Sequence, residues 1–142
     1  MSKIFKLTIF IYLIITSFTV AISKQNFFEE ALKMYQEEKY DDARFLFERN
    51  IVYNPKDAIS YLYLAKIYNH EEDERKEKNN LETALLIEPN NEEVLLMLMK
   101  IALKKSNYSK VKDLSKTFVK VCEKLCDEND SIQETLKNIE PK

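Results

Sequence analysis

Past residue 25 the apolar residues of the chain recur at intervals of three and four. Phe27, Ala31, Met34 and Tyr35 share a face, as do Ala43, Phe47 and Ile51. Tyr61, Leu64, Ala65 and Tyr68 repeat the first pattern, and Leu81, Ala84 and Leu85 repeat the second. A helical turn of about 3.6 residues brings such positions onto one side, so the pattern is that of amphipathic helices. It predicts helices over about 25–38, 41–53, 57–70, 73–87, 91–105 and 109–124, with a last one near 131–139. No stretch alternates with period two for long, and the class expected is all-α. Asn54-Pro55 and Glu88-Pro89-Asn90-Asn91 are helix stops, because proline disfavours helical geometry in the residue before it. Lys39-Tyr40-Asp41 and Asn107-Tyr108-Ser109 mark shorter breaks, with Asp41 or Ser109 placed to cap the helix that follows.

A longer period overlies the helical one. Pro55 and Pro89 are 34 residues apart, as are Phe27, Tyr61 and Leu95, and Ala31, Ala65 and Met99. Tyr40 and Tyr108 are two such steps apart. A fixed period of this length marks stacked supersecondary units. Tyr61-x-x-Leu64-Ala65-x-x-Tyr68 resembles the first helix of a tetratricopeptide repeat, with Tyr for the usual Trp and Ala for the usual Gly. Ala43-x-x-x-Phe47 followed by Pro55 resembles its second helix and terminal proline. The resemblance runs over roughly 24–123 and implies an α-solenoid of three helix-turn-helix repeats, at 24–57, 58–91 and a degenerate 92–125. A capping helix and tail at 126–142 complete it: Asp130 or Ser131, with Gln133 or Glu134 three residues on, read as a capping box, and Ile132, Leu136 and Ile139 form one stripe. In the second repeat Glu77 occupies the slot that Ala43 has in the first, which predicts a looser or shifted pairing there. In the third, Met99, Val111 and Glu123 replace the small residue, the alanine and the proline, as terminal repeats often do.

The N-terminus follows a different rule. Lys3 and Lys6 precede an apolar or uncharged run from Leu7 to Val20, and small residues sit at its exit, Ala21 and Ser23 before Lys24 or Thr19 and Ala21 before Ile22, with the polar body starting at Lys24. A positive start, an apolar centre and a small-residue exit are the parts of a secretory signal, expected here at 1–23. The alternative is an uncleaved anchor over 4–22, although Leu7–Ile22 falls short of the roughly 20 apolar residues a spanning helix needs. The expected location is periplasmic or secreted, or else the inner membrane.

Composition narrows the chemistry. There is no glycine among 142 residues, so phosphate-cradling loops, dinucleotide fingerprints and nucleophile elbows are not built in their usual form. One histidine removes multi-histidine metal sites and leaves little general-base chemistry. A net charge of −2, falling to −4 once Lys3 and Lys6 are removed, is no field for gathering nucleic acid. The expectation is a non-enzyme without catalytic residues, metal or cofactor, whose partner is a protein or peptide. The run Glu71-Glu72-Asp73-Glu74-Arg75-Lys76-Glu77-Lys78 reads as a solvated helix face, with Glu71–Arg75, Glu72–Lys76 and Glu74–Lys78 as i,i+4 pairs. His70 beside it is expected to be exposed.

The resemblance also implies a site. In such solenoids the first helices line a concave, peptide-binding surface. Its slots fall here on Phe28, Leu32, Tyr35 and Gln36, then Ile59, Leu62, Lys66, Asn69 and His70, then Glu93, Leu96, Lys100, Leu103 and Lys104. That is an apolar groove with a basic side of Lys66, Lys100 and Lys104, suited to an amphipathic or acidic segment, unless Leu62 and Leu96 only pack between repeats and the lysines are solvated. The slots that hold a chaperone's terminal carboxylate in some family members read Phe28, Leu32, Tyr63, Glu93 and Met97, so that clamp is absent. Cys122 and Cys126 are the only cysteines. An intact helix holds i,i+4 Cβ atoms about 5–6 Å apart, too far for a disulfide, but a locally unwound turn closes the gap. A disulfide, free thiols, and a redox or metal role all remain open, the second functional alternative being a thiol-disulfide protein. Asp127-Glu128-Asn129-Asp130-Ser131 and Asn107-Tyr108-Ser109 match short glycosylation patterns that arise often by chance.

Overall fold

The computed structural model describes residues 26–139. The N-terminal segment read as a signal or anchor lies outside the described residues. Seven helices are seen: α1 (Phe27–Gln36), α2 (Tyr40–Tyr53), α3 (Ala58–His70), α4 (Glu74–Ile87), α5 (Glu92–Lys104), α6 (Tyr108–Val121) and α7 (Cys126–Ile139). No strand occurs among the described residues. Helices α1–α2, α3–α4 and α5–α6 form three hairpins, each stacked on the next through α2–α3 and α4–α5, and α7 lies against α6 and α5. This is the all-α solenoid that the 34-residue period predicts.

Each hairpin turn solves the same backbone problem. Among the described residues only Glu38, Glu72 and Ser106 have positive φ, at 59°, 59° and 56°. These are the turn residues of α1–α2, α3–α4 and α5–α6, spaced by the repeat length. The left-handed conformation lets the next amide reach back over the helix end, as Lys39 N–H does to Met34 O, Asp73 N–H to Tyr68 O and Asn107 N–H to Ala102 O. Glycine usually takes this position, because a Cβ costs about 1–2 kcal/mol there.

The core forms two clusters. Ala31, Ala43, Phe47, Leu64, Ile67 and Tyr68 fill the space between the first hairpin and α3. Leu81, Val94, Leu95, Met99, Val111 and Phe118 belong to the larger cluster between the second and third hairpins, which Ile132 and Leu136 of α7 extend. Ala31 and Ala43 are fully enclosed, and this allows α1 and α2 to approach closely. Burial pushes the Tyr68 phenol up to about 12, helped by the hydrogen bond it donates to Glu48 (3.0 Å). Polar groups inside are paired. Asn50 donates to Asp57 (2.6 Å) and Ser60 (2.8 Å), and Ser115 donates to Asn129 (2.7 Å).

Several expectations are corrected. The last helix starts at Cys126, not near 131, so Asp130 and Ser131 lie inside it and form no capping box; Ser131 Oγ donates to Asp127 O instead. Asn107, not Ser109, caps α6 by accepting from Lys110 N–H, because Tyr108 is already helical. The cap position of α2 is Lys39, and Asp41 sits in the first turn. The α3–α4 pairing is not loosened by Glu77; it is the most extensive of the three. Its carboxylate is buried and accepts from Asn69 Nδ2 (3.0 Å), so the larger side chain is accommodated by a hydrogen bond. Asn129 is buried, which removes the acidic glycosylation pattern from the surface.

Replacing Glu38, Glu72 or Ser106 by Gly is expected to stabilise the fold by up to about 1 kcal/mol each, since relief of the Cβ clash outweighs the added freedom of the unfolded chain. Urea unfolding of the three single variants measures this, and a loss of stability in all three would show that the turns are not strained. Phe47→Ala, at a site fully enclosed between α2 and its neighbours, is expected to cost about 3–5 kcal/mol in the same measurement.

Candidate functional site

The first helices α1, α3 and α5 lie side by side along one flank, and the contacts between them build the surface in question. Phe28 and Tyr35 of α1 meet Tyr63 of α3 edge-on, with ring centroids at 6.4 and 4.9 Å. Tyr63 stacks on the buried Phe47 ring (5.2 Å), so the core cluster props the tyrosine outward. Lys66, one turn on, places its ammonium 4.8 Å from the Tyr63 ring and 2.7 Å from the Glu93 carboxylate of α5. Tyr35 also packs against Tyr40 (5.6 Å), and Tyr40 against His70 (4.4 Å). Burial first, then the neighbouring Tyr40, Tyr63 and Glu93, raise the Tyr35 phenol above its ordinary value.

The expected groove residues divide into three groups. Phe28, Leu32, Tyr35, Ile59 and Leu103 are half-buried, each keeping part of its surface exposed. Leu62 and Leu96 are buried in the larger core cluster and pack between repeats. The polar members are engaged: Asn69 with Glu77, Lys66 with Glu93, Lys100 with Glu128 of α7 (3.0 Å), and Lys104 with Glu74 (3.5 Å). Each lysine of the basic side thus faces a carboxylate, although Glu74 serves Lys105 (2.5 Å) as well as Lys104. Asn69, Lys100 and Lys104 do converge, with Glu74, Glu77, Met97 and Ile101, around a cavity of about 230 Å³.

Charge pairing on the neighbouring surface also differs from the i,i+4 expectation. Glu71 pairs with Arg44 of α2, Lys76 with Asp73 (3.4 Å) and Lys78 with Glu82 (2.8 Å). Glu71 and Glu72 lie in the turn before α4, so they have no helical i+4 neighbour to face. His70 is exposed at the edge of the aromatic cluster, its ring against Tyr40.

Two residues that sequence reasoning undervalued matter here. Tyr63 reads as a failed clamp slot in the sequence but is the ring that joins α1 to α3. Glu77 is 5% exposed, and burial pushes its carboxyl up, with the Asn69 hydrogen bond opposing. The signal for Tyr63 was available in its i,i+3 relation to Lys66; burial of Glu77 depends on α3 and leaves no local trace.

The larger openings lie elsewhere. One of about 820 Å³, bounded by Phe28, Tyr53 and Pro55, is at the edge where α1 begins. Another of about 860 Å³ runs from Pro89 to Leu125 beside the α6–α7 junction. At that junction Cys122 and Cys126 are joined as a disulfide, with Cα atoms 5.4 Å apart. Oε2 of Glu92, in the first turn of α5, accepts from the amides of Glu123 (2.8 Å), Lys124 (3.1 Å) and Leu125 (3.3 Å). Those amides hold its carboxyl below the usual carboxylate range. Among the described residues no cluster of His, Cys, Asp or Glu is placed to hold a metal ion, and no helix is long and apolar enough to cross a membrane.

A carboxyl whose folded pKa is raised contributes stability at low pH that is lost as pH rises through that value. Glu77→Gln keeps the acceptor for Asn69 and removes the charge. It is expected to gain about 1 kcal/mol at pH 7 and to lose that advantage below pH 4, as read by urea unfolding at both values. A variant no more stable than its parent at pH 7 would contradict the burial argument.

No family profile matches the chain, and no curated protein matches it in sequence. Solved structures do match. The tetratricopeptide domain of P58(IPK) superposes with a TM-score of 0.71 at 16% identity, over 80% of this chain and 32% of that one. The first tetratricopeptide domain of Spaghetti, bound there to an HSP90 peptide, gives 0.64 at 12% identity over 77% of this chain and 89% of the other. That of Sgt2 from Aspergillus fumigatus gives 0.65 at 14% identity, over 80% and 82%. The chain thus spans about a third of the P58(IPK) structure and most of the other two. The tetratricopeptide fold is established by these matches.

Proposed function

We propose that the chain is an exported, non-enzymatic adaptor that binds a segment of a partner protein along the flank formed by α1, α3 and α5. The observation that carries this reading is the set of half-buried apolar residues on the first helices, Phe28, Leu32 and Tyr35 of α1 and Ile59 of α3, of which Phe28 and Tyr35 pack edge-on against Tyr63 and all retain exposed surface. The Spaghetti domain of the same fold holds a peptide. The partner segment proposed here is amphipathic, with its apolar side on this row. The ion pairs of Lys66, Lys100 and Lys104 favour a mixed-charge rim over the strongly acidic ligand that three uncompensated lysines would select. A terminal-carboxylate clamp does not fit slots occupied by Phe28, Leu32, Tyr63, Glu93 and Met97.

Export rests on the charged start, apolar run and small-residue exit of residues 1–23. The second reading, a subunit tethered to the inner membrane by residues 4–22, rests on the same run. Mass spectrometry of the protein from its own host separates them: cleavage leaves an N-terminus near Lys24, and one at Met1 removes the cleaved form. The third reading, a thiol-disulfide protein, requires a lowered thiol pKa and exchange activity. The half-buried Cys122 and Cys126 lie at a helix junction away from the α1–α3–α5 flank, which favours a bond that shapes the fold over a catalytic dithiol.

The groove is tested by affinity capture from the host with the parent and a Leu32→Ala, Tyr35→Ala double variant. Recovery of partners is expected to fall at least tenfold, about 1.4 kcal/mol or more, with the helical spectrum retained. Equal recovery by a folded variant would take the function away from this flank.

A further inference from the structure

Every helix junction in the described chain but one carries its own stop. The α2–α3 and α4–α5 junctions contain Pro55 and Pro89, and the three hairpin turns pass through left-handed Glu38, Glu72 and Ser106. The α6–α7 junction, Cys122-Glu123-Lys124-Leu125, has neither a proline nor a positive φ. Glu, Lys and Leu are good helix formers. The apolar stripe does not break there either: Val111, Phe118, Leu125, Ile132 and Ile139 follow one another at seven-residue intervals, straight through the turn. Local preference at the junction itself is therefore helical, although Asp127, Asn129, Asp130 and Ser131 just beyond it are weaker helix formers.

Two constraints from outside local preference interrupt it. The disulfide cannot form across an intact helical turn, whose i,i+4 Cβ atoms stand about 5–6 Å apart against about 3.5–4.5 Å in a disulfide. Cys122 accordingly takes an extended conformation, φ −65° and ψ 135°. The amides of Glu123, Lys124 and Leu125, which a continuous helix would direct at the carbonyls of the preceding turn, bond Glu92 instead. Helix α7 then runs back along α6: Asn129 and Gln133 both bond Ser115, and Ile132 and Leu136 close the end of the larger core cluster.

We propose that the Cys122–Cys126 disulfide is a redox-controlled helix break: oxidised, it folds α7 back as a cap, and reduced, it lets α6 and α7 join into one helix that uncovers the end of the solenoid. A dithiol supplies the two electrons. One of its thiolates attacks a cystine sulfur, breaking the S–S bond and forming a mixed disulfide; its second thiol displaces the protein sulfur. The products are two protein thiols and the oxidised, cyclic reagent. The junction amides transfer from Glu92 to helical carbonyls, whereas the Ser115–Asn129 and Gln133–Ser115 bonds pass to water and Ile132 and Leu136 become exposed, which is the cost the continuous helix has to offset.

The test uses the full chain with a donor and an acceptor dye on non-cysteine handles at the exposed positions Ser109 and Asn138, read by resonance energy transfer. The oxidised protein is expected to show high transfer. Dithiothreitol should lower it to a separation of about 40 Å, from 1.5 Å rise per residue, with the far-UV helical signal held or increased. A Cys122→Ser, Cys126→Ser variant should show the low transfer without reagent. Glu123→Gly with Lys124→Gly keeps the amide donors while disfavouring helix at the junction, and should stay folded back after reduction. Unchanged transfer in fully reduced parent protein would overturn the proposal. So would a fall in transfer accompanied by lost helical signal, which marks melting of α7, or a glycine variant that opens like the parent.

Discussion

Burial of one hairpin's apolar face against the next holds this molecule together. A pair of ten- to fourteen-residue helices encloses little by itself, and isolated helices of that length are marginal in water. Leu64 and Ile67 of the second hairpin therefore complete the core of the first, and Leu95 and Met99 of the third complete that of the second. The third hairpin has no fourth to stack on, and Ile132 and Leu136 of α7 take its place. Close approach within a pair is a secondary requirement that different residues meet differently. Ala31 and Ala43 meet it by being small, and Glu77 meets it by hydrogen bonding to Asn69.

The same stacking sets the character of the flank that carries the proposed site. Lining up α1, α3 and α5 brings Tyr35 to Tyr63 and Lys66 to Glu93, so aromatic contact and charge neutralisation are both properties of neighbouring repeats. Lysines that look like a basic row along the chain become members of pairs in three dimensions. What stays uncompensated on this flank is apolar surface, so the recognition proposed for it rests on shape and burial more than on net charge.

The turns show how a chain without glycine makes tight hairpins. Glu38, Glu72 and Ser106 occupy the left-handed region because the closing hydrogen bonds and the packing on either side hold them there. At the α6–α7 junction no such residue is present, and a covalent bond with one carboxylate does the equivalent work. It is thus the one junction of the described chain that a covalent bond enforces.

All-α class, the 34-residue period and six of seven helices to within a few residues were legible in the chain, because helix periodicity and proline stops are local signals; the slots Phe28, Leu32, Tyr35 and Ile59 came from the resemblance, and the structure shows them half-buried. The start of α7 was not: Glu123, Lys124 and Leu125 favour helix, and the interruption comes from Glu92, 31 residues before Glu123, and from the bonding of Cys122 to Cys126. Nor were the partners of Lys66, Lys100, Lys104 and Glu71, since each lies on another helix and is chosen by how the hairpins stack. Sequence determined which faces are apolar and where the chain turns at every junction but the last. Tertiary structure alone decided which charges meet and which polar groups are buried, because those depend on distances between elements that no local pattern encodes.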